Sequence, residues 1–121
     1  MSRLDLQHGQ VAGVALEHIV FSRERLAYST MDDTGLQREV LGLFMAQLQE
    51  TRNQLKTIII SSHDRKFLSH NLRGAASAVG ALQIEELARS WENVNFDPLV
   101  LDALLEHAET AFRAETRAIF A

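Results

Sequence analysis

The chain has 121 residues, of which 46% are hydrophobic, so it can form one domain whose core needs no metal or disulfide support. It has no cysteine, which excludes disulfides and thiolate metal sites. The net charge of −4 argues against nucleic-acid binding, which usually requires a basic face. The first ten residues do not resemble a secretory signal, and the run Ile58-Ile59-Ile60 is far too short to cross a membrane. We therefore expect a cytoplasmic protein that does not associate with membranes.

The sequence pattern predicts the secondary structure of the N-terminal region less clearly than that of the rest of the chain. Residues 14–21 are apolar with some alternation, which suits either a short helix or an extended arm lying on the rest of the protein. Ser22 is a suitable N-cap for a short helix that ends near residue 28. We expect an N-terminal arm or short helix over 1–20, followed by a single domain over 21–121.

A long amphipathic helix is predicted from residue 36 to about residue 60. Residues 61–64, Ser-Ser-His-Asp, then interrupt the pattern and supply caps for a second long helix. Gly80 is a natural left-handed stop for that second helix. The apolar face of the first long helix is predicted to comprise Leu36, Val40, Leu43, Phe44, Leu48, Leu55, Ile58 and Ile59.

Two more helices complete the predicted fold. One covers about 83–94, and the last begins at Asp97-Pro98, a cap followed by proline at the first helical position, and runs to about 119. Four amphipathic helices joined by short loops predict an all-α fold, an antiparallel four-helix bundle with a short N-terminal helix or arm. We expect the polar residues Glu85, Glu86 and Glu92 to form a solvated helix face rather than acid or base groups.

The segment 70–81 is the most informative about function. It reads His-Asn-Leu-Arg-Gly-Ala-Ala-Ser-Ala-Val-Gly-Ala and belongs to the second long helix. At about 100° per residue, Leu72, Ala76 and Val79 fall on one face, and His70 falls near the middle of the opposite face. The sequence therefore predicts that His70 is exposed to solvent.

The neighbours of His70 along the helix are basic or small. Lys66 lies one turn before it, and Arg73 and Gly74 lie one turn after it. An exposed imidazole is largely neutral near pH 7 and is a competent nucleophile. Positive charge and a gap in the side-chain cover beside such a histidine are typical of a phosphoryl acceptor. Glycine on an exposed helical face costs up to ~1 kcal/mol relative to alanine, so Gly74 is better explained by function than by packing.

The segment resembles the signature of the histidine-containing phosphotransfer (HPt) domain, His-x-Leu-Lys/Arg-Gly-x-Ala-x-x-Val/Leu-Gly-Ala. Residues 39–44 and 87–92 resemble core helices of the same family, so the likeness covers roughly 30–118. Asn71 stands where the family often has Thr or Ser, and Arg73 where Lys is commoner. Arginine keeps the charge but offers a planar fork of donors, so we expect altered phosphoryl contacts without loss of transfer. The matching positions are His70, Leu72, Arg73, Gly74, Ala76, Val79, Gly80 and Ala81.

The resemblance implies a phosphotransfer intermediate of a two-component phosphorelay, rather than an ATP-dependent kinase. His70 would carry the phosphoryl group on Nε2 and exchange it with aspartates of response-regulator receiver domains, with a hybrid histidine kinase upstream. Lys66 and Arg73 would offset charge on the phosphoryl oxygens, because phosphoryl transfer depends mainly on positioning and electrostatics. Gly74 would let the partner's acidic pocket approach the imidazole.

The resemblance and the exposed face also suggest a partner surface. Ser77 lies on the same helix face as His70, so we expect it to contact the phosphoryl group or the partner. Phe67 and Met45 are candidate apolar docking contacts. The chain contains no glycine-rich nucleotide-binding loop. We expect no cofactor and no metal, since magnesium belongs to the partner's aspartate site, and a monomer in solution.

Two other functions remain open at this point. One is a non-catalytic helical adaptor that binds response-regulator receivers without accepting phosphate. The presence of His70, Arg73 and Gly74 argues against this function, because an adaptor of this kind would be expected to lack the histidine. The other is the dimerisation part of a histidine kinase, in which the acceptor usually lies early in a two-helix hairpin beside acidic residues. Here it lies in the middle of the predicted bundle and is followed by Asn71.

Overall fold

The computed structural model describes residues 10–11, 14–15 and 19–120, and there the chain is all-helical apart from one short strand pair. Strands β1 (Gln10–Val11) and β2 (Val14–Ala15) pair antiparallel, with Val11 opposite Val14. The predicted all-α class is confirmed over the described residues. Among them, no helix is both long enough and apolar enough to cross a bilayer. The helices are α1 (Arg23–Ser29), α2 (Thr34–Thr57), α3 (Ser62–Val79), α4 (Leu82–Asn93) and α5 (Pro98–Phe120).

The four longer helices pack in a closed cycle of neighbours. Helix α3 packs against α2 and α4, and α5 packs against the same two helices. Helix α1 packs against α3, and β2 lies against α4. The core that these helices enclose is aliphatic and aromatic, with Leu41, Leu48, Leu72, Ile84, Leu87, Leu101, Leu105 and Phe112 among its most buried side chains.

The helix boundaries follow the capping signals in the sequence. The Ser22 side chain accepts a hydrogen bond from the Arg25 amide at the start of α1, and Ser61 accepts one from the Asp64 amide at the start of α3. Asp97 Oδ1 accepts from the Leu99 amide at 2.9 Å in the first turn of α5. Gly80 ends α3 in the left-handed conformation, at φ +76°. These predicted starts and stops are confirmed.

Part of the predicted apolar face of α2 does not belong to the core. Helix α2 ends at Thr57, three residues earlier than expected, so Ile58 is an extended cap and Ile59 is 99% exposed in the following loop. Leu43 is also exposed; it lines a surface depression together with Ala75, Ala78 and Val79 of α3, and the alanine side chains are too short to cover it. The prediction that these three residues are buried is wrong.

The segment before α1 is extended and crosses the turn between α3 and α4. The Ser22 amide donates to the Gly80 carbonyl at 2.8 Å, and the Leu82 amide donates to the Val20 carbonyl at 3.0 Å. Phe21 packs edge-on against Phe112, with ring centroids 5.5 Å apart. Most of the predicted arm or short helix over 1–20 lies outside the described residues. The described parts of it, at 10–11, 14–15 and 19–20, are not helical.

Candidate functional site

His70 stands on the outer face of α3, with its side chain 68% exposed. The ring nitrogen Nδ1 lies 3.4 Å from Nη2 of Arg73 and 3.9 Å from Oε2 of Glu92. Among the described residues, the other ring nitrogen, Nε2, has no hydrogen-bond partner. The imidazole therefore presents Nε2 to solvent, while Nδ1 faces the protein.

A carboxylate from α4 holds the arginine beside His70. Arg73 Nε donates to Glu92 Oε1 at 2.8 Å, and both side chains are half-buried. This charge-assisted hydrogen bond holds the guanidinium near the imidazole and links α3 to α4. Arg73 Nη2 lies beside the imidazole while Nε is bound to Glu92, so one guanidinium contacts both side chains.

A shallow depression of about 240 Å³ begins at His70 and extends along the groove between α3 and α4. At its far side, Glu85 accepts from Arg25 Nη1 at 2.8 Å and from Arg89 Nη2 at 3.2 Å. Arg25 Nη1 also donates to Ser77 Oγ at 3.3 Å, so helix α1 contributes a cation to this surface. The lining residues are His70, Arg73, Gly74, Ser77, Glu85 and Arg89.

The acidic residues of α4 are not a solvated face. Glu85, Glu86 and Glu92 are each half-buried, and each binds an arginine. They border the apolar stripe of α4, and their arginine partners come from α3 for Glu92, from α1 and α4 for Glu85, and from α4 for Glu86. The sequence prediction for these three residues is wrong, because periodicity identifies the core stripe but does not show which helix covers its edges.

Gly74 leaves an opening next to His70. A Cβ atom built at this position would meet no heavy atom within 4 Å apart from its own neighbours in the chain and helix. The residue is exposed and lies in the interior of α3. Neither backbone conformation nor packing therefore requires glycine here.

The remaining predicted site residues fall into different environments. Lys66 is exposed, and its ammonium forms no ion pair with any described residue. Phe67 is 62% exposed, whereas Ser77 is half-buried under Arg25. Met45 is buried in the core, so its predicted role as a docking contact is wrong.

His70 separates two chemically different flanks of α3. At about 100° per residue, Phe67 and Ala78 lie roughly 60–80° to one side of His70, towards the exposed Leu43 of α2. Arg73 lies roughly 60° to the other side, towards the arginines and carboxylates of α4. A partner that contacts the imidazole would thus meet apolar surface on one side and charged surface on the other.

Sequence reasoning missed four residues of this surface: Arg25, Glu85, Arg89 and Glu92. Three of them carried a usable signal, because Glu85, Arg89 and Glu92 are spaced four and three residues apart and share one edge of α4. Arg25 carried none, since Ser77, to which it binds, lies 52 residues further along the chain.

The described residues contain no group of three or more histidine, aspartate or glutamate side chains placed to hold a metal ion. Comparison of the chain with protein-family models, with curated proteins and with solved structures finds no match.

Proposed function

We propose that this protein is a histidine phosphotransfer protein that relays phosphoryl groups between receiver-domain aspartates of a two-component phosphorelay, through phosphohistidine at His70. One observation carries the proposal. His70 is exposed in the middle of a helix, with the Arg73 guanidinium 3.4 Å from its ring and an unfilled position at Gly74. A nucleophile, a cation and room for a partner thus coincide at one point.

The proposed architecture is an antiparallel four-helix bundle of α2, α3, α4 and α5 with a short N-terminal helix or arm. The closed cycle of contacts among α2, α3, α4 and α5 is the packing that such a bundle requires. The small α1 then lies outside the bundle, against α3. In this arrangement His70 projects from a helix whose backbone is held by packing against α2 and α4.

The proposed chemistry needs little from the protein beyond the imidazole and nearby charge. Arg73 donates to the phosphoryl oxygens, and Lys66, one turn away with no intramolecular partner among the described residues, adds a second cation. The receiver supplies the aspartate and its magnesium, so the protein itself uses no cofactor. It acts as an intermediate rather than a kinase, as a monomer in the cytoplasm, between a hybrid kinase and a response regulator.

A phosphotransfer assay tests the proposal. Receiver domains carrying labelled phosphoryl groups are mixed one at a time with the wild-type chain, with His70→Gln and with His63→Gln, and are analysed at neutral pH because phosphohistidine is acid-labile. His63 is the matched control, because it is also exposed and lies near the start of the same helix. We expect label in the wild type and in His63→Gln but none in His70→Gln.

Two outcomes of this assay would contradict the proposal. Label that persists in His70→Gln would mean that another residue is the acceptor. Receiver binding without any label transfer would favour the adaptor function, with Arg73 and Gly74 serving only as docking residues.

Substitution of Gly74 by leucine is expected to lower the transfer rate by about 10-fold or more, because the side chain occupies the opening through which the partner reaches the imidazole. Stability should stay equal or rise by up to ~1 kcal/mol, since leucine is the better helix former and the position is open. Label transfer and thermal unfolding are measured on the same preparation.

The control for this substitution is Gly42→Leu in α2, where an added Cβ also meets nothing within 4 Å. It should give a similar change in stability without the loss of transfer. Equal loss of fold and transfer in Gly74→Leu, or unchanged transfer, would refute the role assigned to Gly74.

A further inference from the structure

A cavity of about 370 Å³ lies at the end of the protein where α2 connects to α3 and α4 connects to α5. Its volume falls within the range of small-molecule sites, about 300–1,000 Å³. The buried side chains of Leu55, Trp91 and Phe96 form part of its wall, and the loop Ile58-Ile59-Ile60 forms another part. No residue lines both this cavity and the depression beside His70, so the two are separate places on the surface.

The isoleucine loop leaves apolar surface uncovered beside the cavity. Three β-branched residues in succession disfavour a helix, and α2 ends before them, with Ile58 in an extended conformation. Ile58 and Ile59 are exposed, whereas Ile60 packs against the core. Contiguous exposed apolar surface in a concave setting is typical of a binding site. The cavity therefore favours a ligand with an apolar body.

Arg65 brings a positive charge to the wall of this cavity. The residue is half-buried near the start of α3, and its Nη1 donates to the carbonyl oxygens of Trp91 and Glu92 at 2.9 and 3.0 Å. These two bonds fix the guanidinium against the last turn of α4. Other arginines of the described chain bind a carboxylate, namely Arg25, Arg52, Arg73, Arg89 and Arg113.

The rest of the Arg65 guanidinium is available to a ligand. Its Nε and Nη2 have no hydrogen-bond partner among the described residues, and no described carboxylate forms an ion pair with it. These two nitrogens make up one edge of the guanidinium, the edge that binds a carboxylate side-on through two parallel hydrogen bonds. The bonds to the α4 carbonyls explain the position of Arg65 but leave this edge unused.

The carboxylate of Asp97 also lines the cavity, but it serves the start of α5. Its Oδ1 accepts hydrogen bonds from the amides of Leu99 and Val100 at 2.9 and 3.4 Å. The positive end of the helix dipole offsets the negative charge there. Since Asp97 forms no ion pair with Arg65, the guanidinium keeps its capacity to bind an external anion.

We propose that this cavity binds a small amphipathic carboxylic acid. The apolar body of the ligand lies against Trp91 and the isoleucine loop, and its carboxylate is bound side-on by Arg65. Binding covers Ile58 and Ile59 and gives Arg65 the carboxylate that the described chain does not supply. This inference goes beyond the proposed function and does not depend on it.

Two probes of equal shape test the site, namely 4-phenylbutyrate and its neutral amide, 4-phenylbutyramide. Trp91 is the only tryptophan of the chain, so intrinsic fluorescence of the full-length protein reports on the cavity wall. We expect a saturable change with the acid and an affinity roughly 10-fold weaker for the amide, because hydrogen bonds to charged groups are the stronger ones. In methyl NMR spectra, the signals of residues 58–60 should shift, whereas those of Ile84 and Ile119, which do not line the cavity, should not.

Two substitutions separate the charge of the site from its shape. Asn95 is exposed and lines the cavity, so Asn95→Glu should keep the fold and lower the affinity for the acid by roughly 2- to 5-fold without affecting the amide. Asn93→Glu is the matched control, because Asn93 is also exposed but does not line the cavity. Arg65→Gln keeps a donor for the α4 carbonyls and should abolish the preference for the acid. Thermal unfolding shows that each variant is folded.

Three outcomes would overturn the inference. Absence of any change at Trp91 and at the isoleucine methyls with millimolar probe means that the cavity is not a site. Equal affinity for acid and amide, or a preference that survives in Arg65→Gln, removes the assigned role of Arg65. Tighter binding of the peptide acetyl-Phe-Asp-amide than of 4-phenylbutyrate assigns the cavity to a segment of a partner protein instead. Each outcome is independent of label transfer to His70, so the proposed function stands or fails separately.

Discussion

Replacement of Gly80 by alanine is expected to lower the free energy of unfolding by about 3–4 kcal/mol, at the upper end for single substitutions. Two effects combine. At φ +76° a residue with a Cβ is strained by roughly 1–2 kcal/mol. The new Cβ would also collide with the backbone carbonyl oxygen of Ser22, which is held in place because it accepts a hydrogen bond from the Leu26 amide and because the Ser22 amide donates to the Gly80 carbonyl.

A second variant distinguishes the backbone strain at positive φ from the collision between the added Cβ and the Ser22 carbonyl oxygen. Asparagine adopts the left-handed conformation more readily than alanine but carries the same Cβ. We therefore expect Gly80→Asn to be nearly as destabilising as Gly80→Ala, because the contact with Ser22 dominates. Recovery of most of the stability in the asparagine variant would show that the backbone angle alone is responsible.

Gly42→Ala is the matched control for these substitutions. Gly42 lies in the interior of α2, and an added Cβ meets nothing there. The same substitution should therefore stabilise the protein by about 0.5–1 kcal/mol. Urea or thermal unfolding of the variants checks both the signs and the sizes.

Gly80 also connects stability to the candidate site. The extended segment that crosses Gly80 leads directly into α1, which places Arg25 against Ser77 and Glu85. A shift of Ser22 would therefore move this cation relative to the groove beside His70. We expect Gly80→Ala to disturb the charged flank of the site as well as the fold.

Replacement of Arg52 by methionine is expected to destabilise the protein by about 3 kcal/mol or more, the usual cost of removing one partner of a buried ion pair. Arg52 Nε donates to Asp102 at 2.7 Å, and Nη1 donates to Glu109 at 2.9 Å. Glu109 is only 8% exposed. The substitution leaves Asp102 without this donor between α2 and α5, and leaves Glu109 with Arg113 alone.

Arg52 stays protonated in the folded protein. Its hydrogen bond to Asp102 raises the pKa of the guanidinium, the bond to Glu109 acts in the same direction, and burial opposes both. The cation is therefore present throughout the pH range in which the fold is measured. Loss of stability in Arg52→Met should accordingly be similar at pH 6 and pH 8.

Arg113→Met is the control, because Arg113 binds the same Glu109 at 2.8 Å but is 55% exposed. An exposed pair of this kind contributes at most about 1 kcal/mol. A larger loss in Arg113→Met than in Arg52→Met would show that burial does not decide the cost in this network. Chemical denaturation of both variants gives the comparison.

Much of the helical framework was predictable because its causes are local. The caps at Ser22, Ser61 and Asp97 and the stop at Gly80 each depend on residues within one turn, and all four are confirmed. The exposure of His70 followed equally from helical periodicity. Errors arose where burial depends on the facing helix, as at Leu43, which lies beside the short side chains of Ala75 and Ala78 and stays exposed.

Local sequence patterns are enough to predict that the described chain is helical, where most of the helices begin and end, and that His70, Arg73 and Gly74 share one face. These properties depend on interactions within about four residues. The groups that stand opposite them are set by the packing of the helices. Glu92 reaches His70, Arg25 reaches Ser77, and Arg52 reaches Asp102, 50 residues away, through the packing of separate helices. Periodicity sets the face on which each of these residues lies, but the partner on that face depends on the angles and distances at which the helices pack.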